Sequence, residues 1–182
     1  MEKINNVLKL AITKTDKVCG IGEIVGPQLL NEGKIPVFSC EGGCIKGEIA
    51  RLAANMVAKE DRYARGCHGA LFATPHSGIA EWIRESDKVV VIDGCFLHCH
   101  GRIAEHIIDR DKLVTIDALS LHKKYANLMD VDDVPEAERK KAAREVADKV
   151  LAYLDESTSF DLASQGSCGC ETEAQTQTKC AA

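Results

Sequence analysis

The sequence predicts a single α/β domain, a mostly parallel open sheet with helices on both faces, followed by a disordered C-terminal tail. Three observations predict it. Short apolar runs occur at Ile35–Ser39, Val89–Ile92 and Leu113–Ile116, and the aliphatic Val89–Ile92, rich in β-branched residues, suits a central parallel strand. The first two runs end at a glycine turn, Glu41-Gly42-Gly43 and Asp93-Gly94-Cys95. Apolar residues at helical spacing follow each turn, and alternation of strand and helix specifies a parallel sheet.

Taken in order, Val7–Ile12 fits either a strand or a helix, being too short for periodicity to decide. Cys19–Gly26 carries Gly20, Gly22 and Gly26 ahead of Pro27, and reads as a glycine-rich turn. Its spacing does not fit a dinucleotide fingerprint, which needs a strand before and a helix after. After Ile35–Ser39, the residues Ile45, Ile49, Leu52, Ala53, Met56 and Val57 form the apolar stripe of a helix. Between Tyr63 and Thr74 the strand is either Tyr63–Cys67 or Ala70–Ala73, and Pro75 leads into a helix carrying Ile79, Trp82 and Ile83. Beyond Val89–Ile92 a helix places Ile103, Ile107 and Ile108 on one face. Leu113–Ile116 is the last strand, and Pro135 suits the first turn of a long helix through Ala143, Val146, Val150 and Leu154. From Ser157 to Ala182 the chain turns to Ser, Thr, Gln and Gly without core-forming periodicity. The expected organisation is therefore a metal-binding α/β domain over 1–156, with its motifs in 35–116, and a flexible tail over 157–182 holding Cys168, Cys170 and Cys180.

At 182 residues the chain is long enough to bury a core, since a domain near 150 residues hides roughly 70% of its unfolded surface. It needs no metal or disulfide simply to fold. A net charge of −5 argues against nucleic acid as a partner, because phosphate backbones demand a concentrated basic surface. No segment approaches the roughly 20 apolar residues of a membrane span. Met1–Lys17 has charges scattered through it and no signal-peptide pattern. The expected location is the cytoplasm, where thiols stay reduced, so the nine cysteines are not read as a disulfide framework.

Cysteine placement carries the functional reading. Cys40 and Cys95 each stand at the carboxyl end of an expected strand, the edge at which open α/β sheets bind ligands. Each has a second cysteine four residues on, Cys44 and Cys99, so that a helical turn presents both sulfurs in one direction. Cys67, on the intervening βα segment, can reach the same edge. A helix N-terminus favours thiolate over thiol, and thiolates are the species that ligate zinc. A single buried cysteine often serves as a small hydrophobe, and Cys99 shares a helical face with Ile103 and Ile107. Five cysteines at corresponding sheet ends outweigh that reading. His68, His98 and His100 adjoin these cysteines as further ligands or as orienting groups, whereas His76, His106 and His122 are read as surface residues. Asp93 is read as a cap of the helix that follows, the alternative being an acceptor for a ligand histidine or a bound water.

Other cysteine chemistries fit less well. A phosphate-cradling loop needs an arginine at a fixed position after the nucleophile. The matching places hold Lys46 after Cys40 and Gly101 after Cys95, with Arg102 one residue too far. A thiol redox or sulfur-relay enzyme favours Cys-x2-Cys over the Cys-x3-Cys found here, and an iron–sulfur protein usually has a close cysteine triplet.

The segment Asp93-Gly94-Cys95-x3-Cys99, preceded by Val89–Ile92, resembles the signature of the DGC-domain family of proposed zinc-binding proteins. Cys40-x6-Gly47-x2-Ala50 fits that family's first motif and Cys67 its second cysteine, so that the resemblance spans Ile35 to Ile116. It implies zinc on Cys40, Cys67, Cys95 and Cys99; Cys44 is a thiol beyond that set and a fifth candidate ligand. It implies no particular reaction.

Overall fold

A computed structural model describes residues 11–165, with side chains up to residue 156. Four strands, β1 (Ile35–Ser39), β2 (Tyr63–Arg65), β3 (Val89–Asp93) and β4 (Leu113–Asp117), form one sheet in the order β2-β1-β3-β4 with every pair parallel. The helices are α1 (Gly20–Asn31), α2 (Ile45–Val57), α3 (His68–Ala73), α4 (Gly78–Glu85), α5 (Cys99–Ala104), α6 (Ala118–His122) and α7 (Glu136–Gln165). Among the described residues, no helix is long and apolar enough to cross a membrane.

Two cores lie on opposite faces of the sheet. On one face α2, α6 and α7 pack over Val37, Val90 and Ile92, with Ile45, Ile49, Ala143, Val146 and Val150 at the centre. On the other, α1, α3, α4 and α5 enclose Phe38, Val89 and Val91 around Trp82, Leu71 and Ile83. The aliphatic run of β3 is explained by this arrangement, for each of its residues is buried whichever way it points. The strand order makes consecutive crossovers diverge. The connection from β1 runs through α2 on one face, while that from β3 runs through α5 on the other, so the sheet has its switch point between β1 and β3.

Three expectations are corrected, and one choice left open is decided. The glycine-rich segment expected as a turn is the helix α1, whose Gly22 and Gly26 are its buried positions. A Cβ at Gly26 would lie 2.3 Å from the backbone of Gly78, so the glycines admit α4 to close contact rather than bend the chain. Tyr63–Arg65 is the strand of the two alternatives, and Ala70–Ala73 belongs to α3. Ile103 and Ile107 are exposed and only Ile108 is buried, because α5 presents Ala104 to the sheet. His122, expected at the surface, is buried, its Nδ1 accepting the Lys124 N–H at 3.0 Å. Val7–Leu10 and the cysteines at 168, 170 and 180 lie outside the described residues, and α7 runs on to Gln165, past the boundary expected at 156.

Candidate metal centre

The loops after β1 and β3 meet at the switch point because two glycines let backbone touch backbone. A Cβ at Gly94 would lie 2.8 Å from the Gly47 nitrogen at the start of α2, and one at Gly47 would lie 2.5 Å from the Gly42 carbonyl oxygen. The Cys40–Cys44 loop and the Cys95–Cys99 loop are thereby held side by side.

Asp93, the last residue of β3, is 1% exposed. Its Oδ1 accepts the His100 N–H at 3.1 Å and its Oδ2 the Gly101 N–H at 2.9 Å, which satisfies free donors at the start of α5. The capping role anticipated for Asp93 is thus present. The same carboxylate faces the Nδ1 of His98 at 3.9 Å and that of His100 at 3.8 Å. Both Nδ1 atoms are buried without a hydrogen-bond partner among the described residues. Buried polar atoms are normally satisfied, so two orphaned imidazole nitrogens beside a carboxylate leave room for a ligand. His98 also holds φ at +48°, a left-handed conformation that costs a non-glycine residue of order 1–3 kcal/mol. That strain sits between Cys95 and Cys99.

Cys40 Sγ, a carboxylate oxygen of Asp93 and a ring nitrogen of His100 all lie within 4.8 Å of one another, a donor set able to hold a metal ion. Cys95 is half-buried and Cys99 exposed on the loop beside them. Burial, then the charges of Cys40, Asp93 and Cys95, push the Cys99 thiol above its ordinary range. The N-terminus of α5, only six residues long, was expected to lower it; burial and the three acidic neighbours outweigh that effect. A cation among these groups inverts the balance, because it favours the deprotonated thiol.

The remaining candidates stand around this set. Cys67 is exposed and caps α3, its sulfur accepting the Ala70 N–H at 3.5 Å. Cys44 precedes α2 without a side-chain capping bond. Among the described residues, Cys44, Cys67, Cys95 and Cys99 belong to no group of three or more donors that converges as Cys40, Asp93 and His100 do. His68 packs its ring 4.4 Å from that of Phe38 and 4.8 Å from that of His100. Burial, helped by His100 and Arg65, lowers its pKa to about 4, so this ring is neutral near pH 7.

Arg65 was missed in the sequence. Its guanidinium reaches the Asn55 side-chain oxygen at 2.8 Å, the Val37 carbonyl at 2.7 Å, the Ser39 hydroxyl at 2.7 Å and Glu41 at 3.5 Å. It therefore ties the residues on either side of Cys40 to the strand that leads into Cys67. An arginine at the end of a candidate strand, two residues before Cys67, was the available signal.

Fold and site define a doubly wound parallel α/β domain with soft and anionic donors converging at its switch point. The chain belongs to the DGC-domain family, whose model matches residues 36–149. Neither the curated proteins nor the solved structures yield a match. Family and donor cluster both fit metal binding.

Proposed function

We propose that the protein is a cytoplasmic zinc-binding protein that holds the ion at the switch point on the thiolates of Cys40, Cys67, Cys95 and Cys99, with Cys44 as a fifth thiol in the same loop. The observation that carries the reading is the convergence of Cys40, Asp93 and His100 within 4.8 Å. The charges of Cys40 and Cys95 both act on the Cys99 thiol, which is consistent with three thiols disposed around one site. Thiolate and imidazole donors suit zinc better than magnesium or calcium, which prefer oxygen. Asp93, each of whose oxygens accepts a backbone N–H, holds the start of α5 beside Cys40 and so sets the spacing of the site rather than serving as a ligand. When bound, zinc supplies Lewis acidity and a site for soft ligands. Two cores on either side of the sheet carry the fold, so the ion is held for use rather than as a staple.

The test is elemental analysis and an absorption spectrum of protein purified without oxygen, together with Cys95→Ser. Colourless protein with stoichiometric zinc, and a soluble, zinc-depleted, cooperatively melting variant, are expected. Brown protein containing iron and sulfide would replace the zinc reading with a cluster on the same residues. Metal-free protein with reactive thiols would overturn metal binding.

A further inference from the structure

Both edge strands, the three-residue β2 and the five-residue β4, have one side without a strand partner among the described residues, and β4 offers the longer edge. β4 pairs with β3, and among the described residues no strand pairs with its other edge. The Val89 N–H donates to the Lys112 carbonyl, so the alternation of a parallel ladder turns the backbone groups of Leu113, Thr115 and Asp117 outward. The Leu113 N–H is taken by the Arg110 carbonyl and the Asp117 carbonyl by the Ser120 hydroxyl, which makes Thr115 the centre of the edge. Thr115, at mid-strand, is exposed. Side chains alternate as well: Val114 and Ile116 pack against the α2–α7 core and Leu113 against the opposite one.

Two cavities flank this edge, and Thr115 lines both. On the α5 side, a cavity of about 350 Å³ is walled by His98, Arg102, Glu105 and Arg110. On the α7 side, one of about 230 Å³ is walled by Ile116, Leu121, Val150 and Tyr153, with Lys149 at its margin. Their electrostatic characters differ. Glu105 pairs with Arg110 at 3.2 Å, while Arg102 donates through Nε to the Leu97 carbonyl and has no acidic partner among the described residues. The α5 cavity thus keeps a net positive charge in a chain whose net charge is −5. Lys149 is matched by Glu145 at 3.0 Å, which leaves the α7 cavity essentially apolar.

We propose that the open edge of β4 receives an extended segment of a partner protein as a fifth strand, with its acidic side chains on the α5 side and its apolar side chains on the α7 side. An added strand takes affinity from main-chain hydrogen bonds and specificity from alternate side chains, and one cationic and one apolar cavity match that alternation. α7 lies on the α2 face, and a parallel strand reached from it beside β4 would need a left-handed crossover, which parallel sheets all but exclude. His98 belongs both to the α5 cavity and to the candidate metal centre, so a docked strand lies beside that centre. The inference stands on the sheet edge and holds whether or not zinc is the ion.

The test uses full-length ¹⁵N-labelled protein and two capped synthetic peptides, one alternating valine with glutamate and the other valine with lysine. The glutamate peptide is expected to shift the amides of residues 113–117, and the lysine peptide to bind at least about tenfold more weakly. Arg102→Glu should weaken glutamate-peptide binding by a similar factor. Thr115→Pro removes an outward N–H without breaking the ladder to β3, and should abolish binding while the circular dichroism of the fold persists. Equal binding of both peptides, shifts confined to other elements, or undiminished binding by Thr115→Pro would overturn the proposal. So would a Thr115 amide already protected from exchange in the free chain, whether by one of its own segments or by a second copy detected in sedimentation.

Discussion

Gly94→Ala should force the two cysteine loops apart. The new Cβ would stand 2.8 Å from the Gly47 nitrogen, 2.9 Å from the Lys46 carbonyl carbon and 3.0 Å from the Gly47 Cα. Every one of these is a backbone atom, so no side chain can rotate out of the way. Opening the shortest contact from 2.8 Å to the 3.4 Å at which ordinary packing begins requires a shift of about 0.6 Å. Gly94 does not occupy the left-handed region, so the cost of alanine there is steric. Overpacking of this kind costs roughly 1–3 kcal/mol. For a chain of this size, ~2–4 °C of melting temperature is lost per kcal/mol, so the variant should melt ~2–12 °C below the parent. The displacement falls between Cys40 and Cys95, so zinc affinity should fall as well. The assay is thermal melting by circular dichroism after chelation, then zinc titration against a chromophoric competitor. Gly69→Ala is the control: a Cβ there meets nothing within 4 Å, and alanine favours helix by up to ~1 kcal/mol. A Gly94→Ala protein that melts within about 1 °C of the parent and binds zinc equally well would refute the argument that this contact sets the loop spacing.

Asp93→Asn retains one acceptor oxygen where two are used, so it should lose ~1–2 kcal/mol of stability yet keep its metal stoichiometry; loss of metal from a folded variant would make Asp93 a ligand. Trp82 is fully buried and donates through Nε1 to the Lys34 carbonyl at 2.8 Å. Trp82→Phe should cost ~1–3 kcal/mol through the unpaired carbonyl, and Trp82→Ala ~3–5 kcal/mol, both read from urea titrations. The His68 pKa is lowered from 6.5 to about 4, so the unfolded chain binds more protons between those values. Its contribution to the stability of the metal-free protein should be complete above pH 6.5 and decline as pH falls through about 4, and His68→Gln should flatten that part of a urea-midpoint profile.

The parallel strands β1 and β3 were legible because burial on both faces leaves a compositional mark; β4 also falls where its apolar run placed it, although as an edge strand it has no fully buried residue. The short β2 lacked such a run, and the choice between it and α3 needed the pairing of Ile35 with Tyr63. α1 was illegible for a different reason. Its glycines answer to α4 across the interface, a demand written in another part of the chain. The edge bearing the cysteines followed from the βα pattern, and the cap at Asp93 from its place at a strand end. The convergence of Asp93 and His100 with Cys40 did not, because it depends on the loops after β1 and β3 closing on each other. Likewise, Cys99, Ile103 and Ile107 do share a face, but α5 buries the opposite one.

The Arg65 network bears on how quickly a metal could be captured. A guanidinium is no ligand for a soft cation, so it can brace Ser39 and Glu41 around Cys40 without competing for the thiolate. The loop is then already shaped before any ion arrives. Fixing a flexible side chain at the moment of binding costs about 0.5–1.5 kcal/mol apiece, a penalty that folding has here discharged in advance for the Cys40 loop. Such preorganisation should show itself in kinetics. Relative to the parent, Arg65→Gln should slow zinc uptake in stopped-flow mixing, as ordering of the Ser39–Glu41 loop becomes part of the binding step.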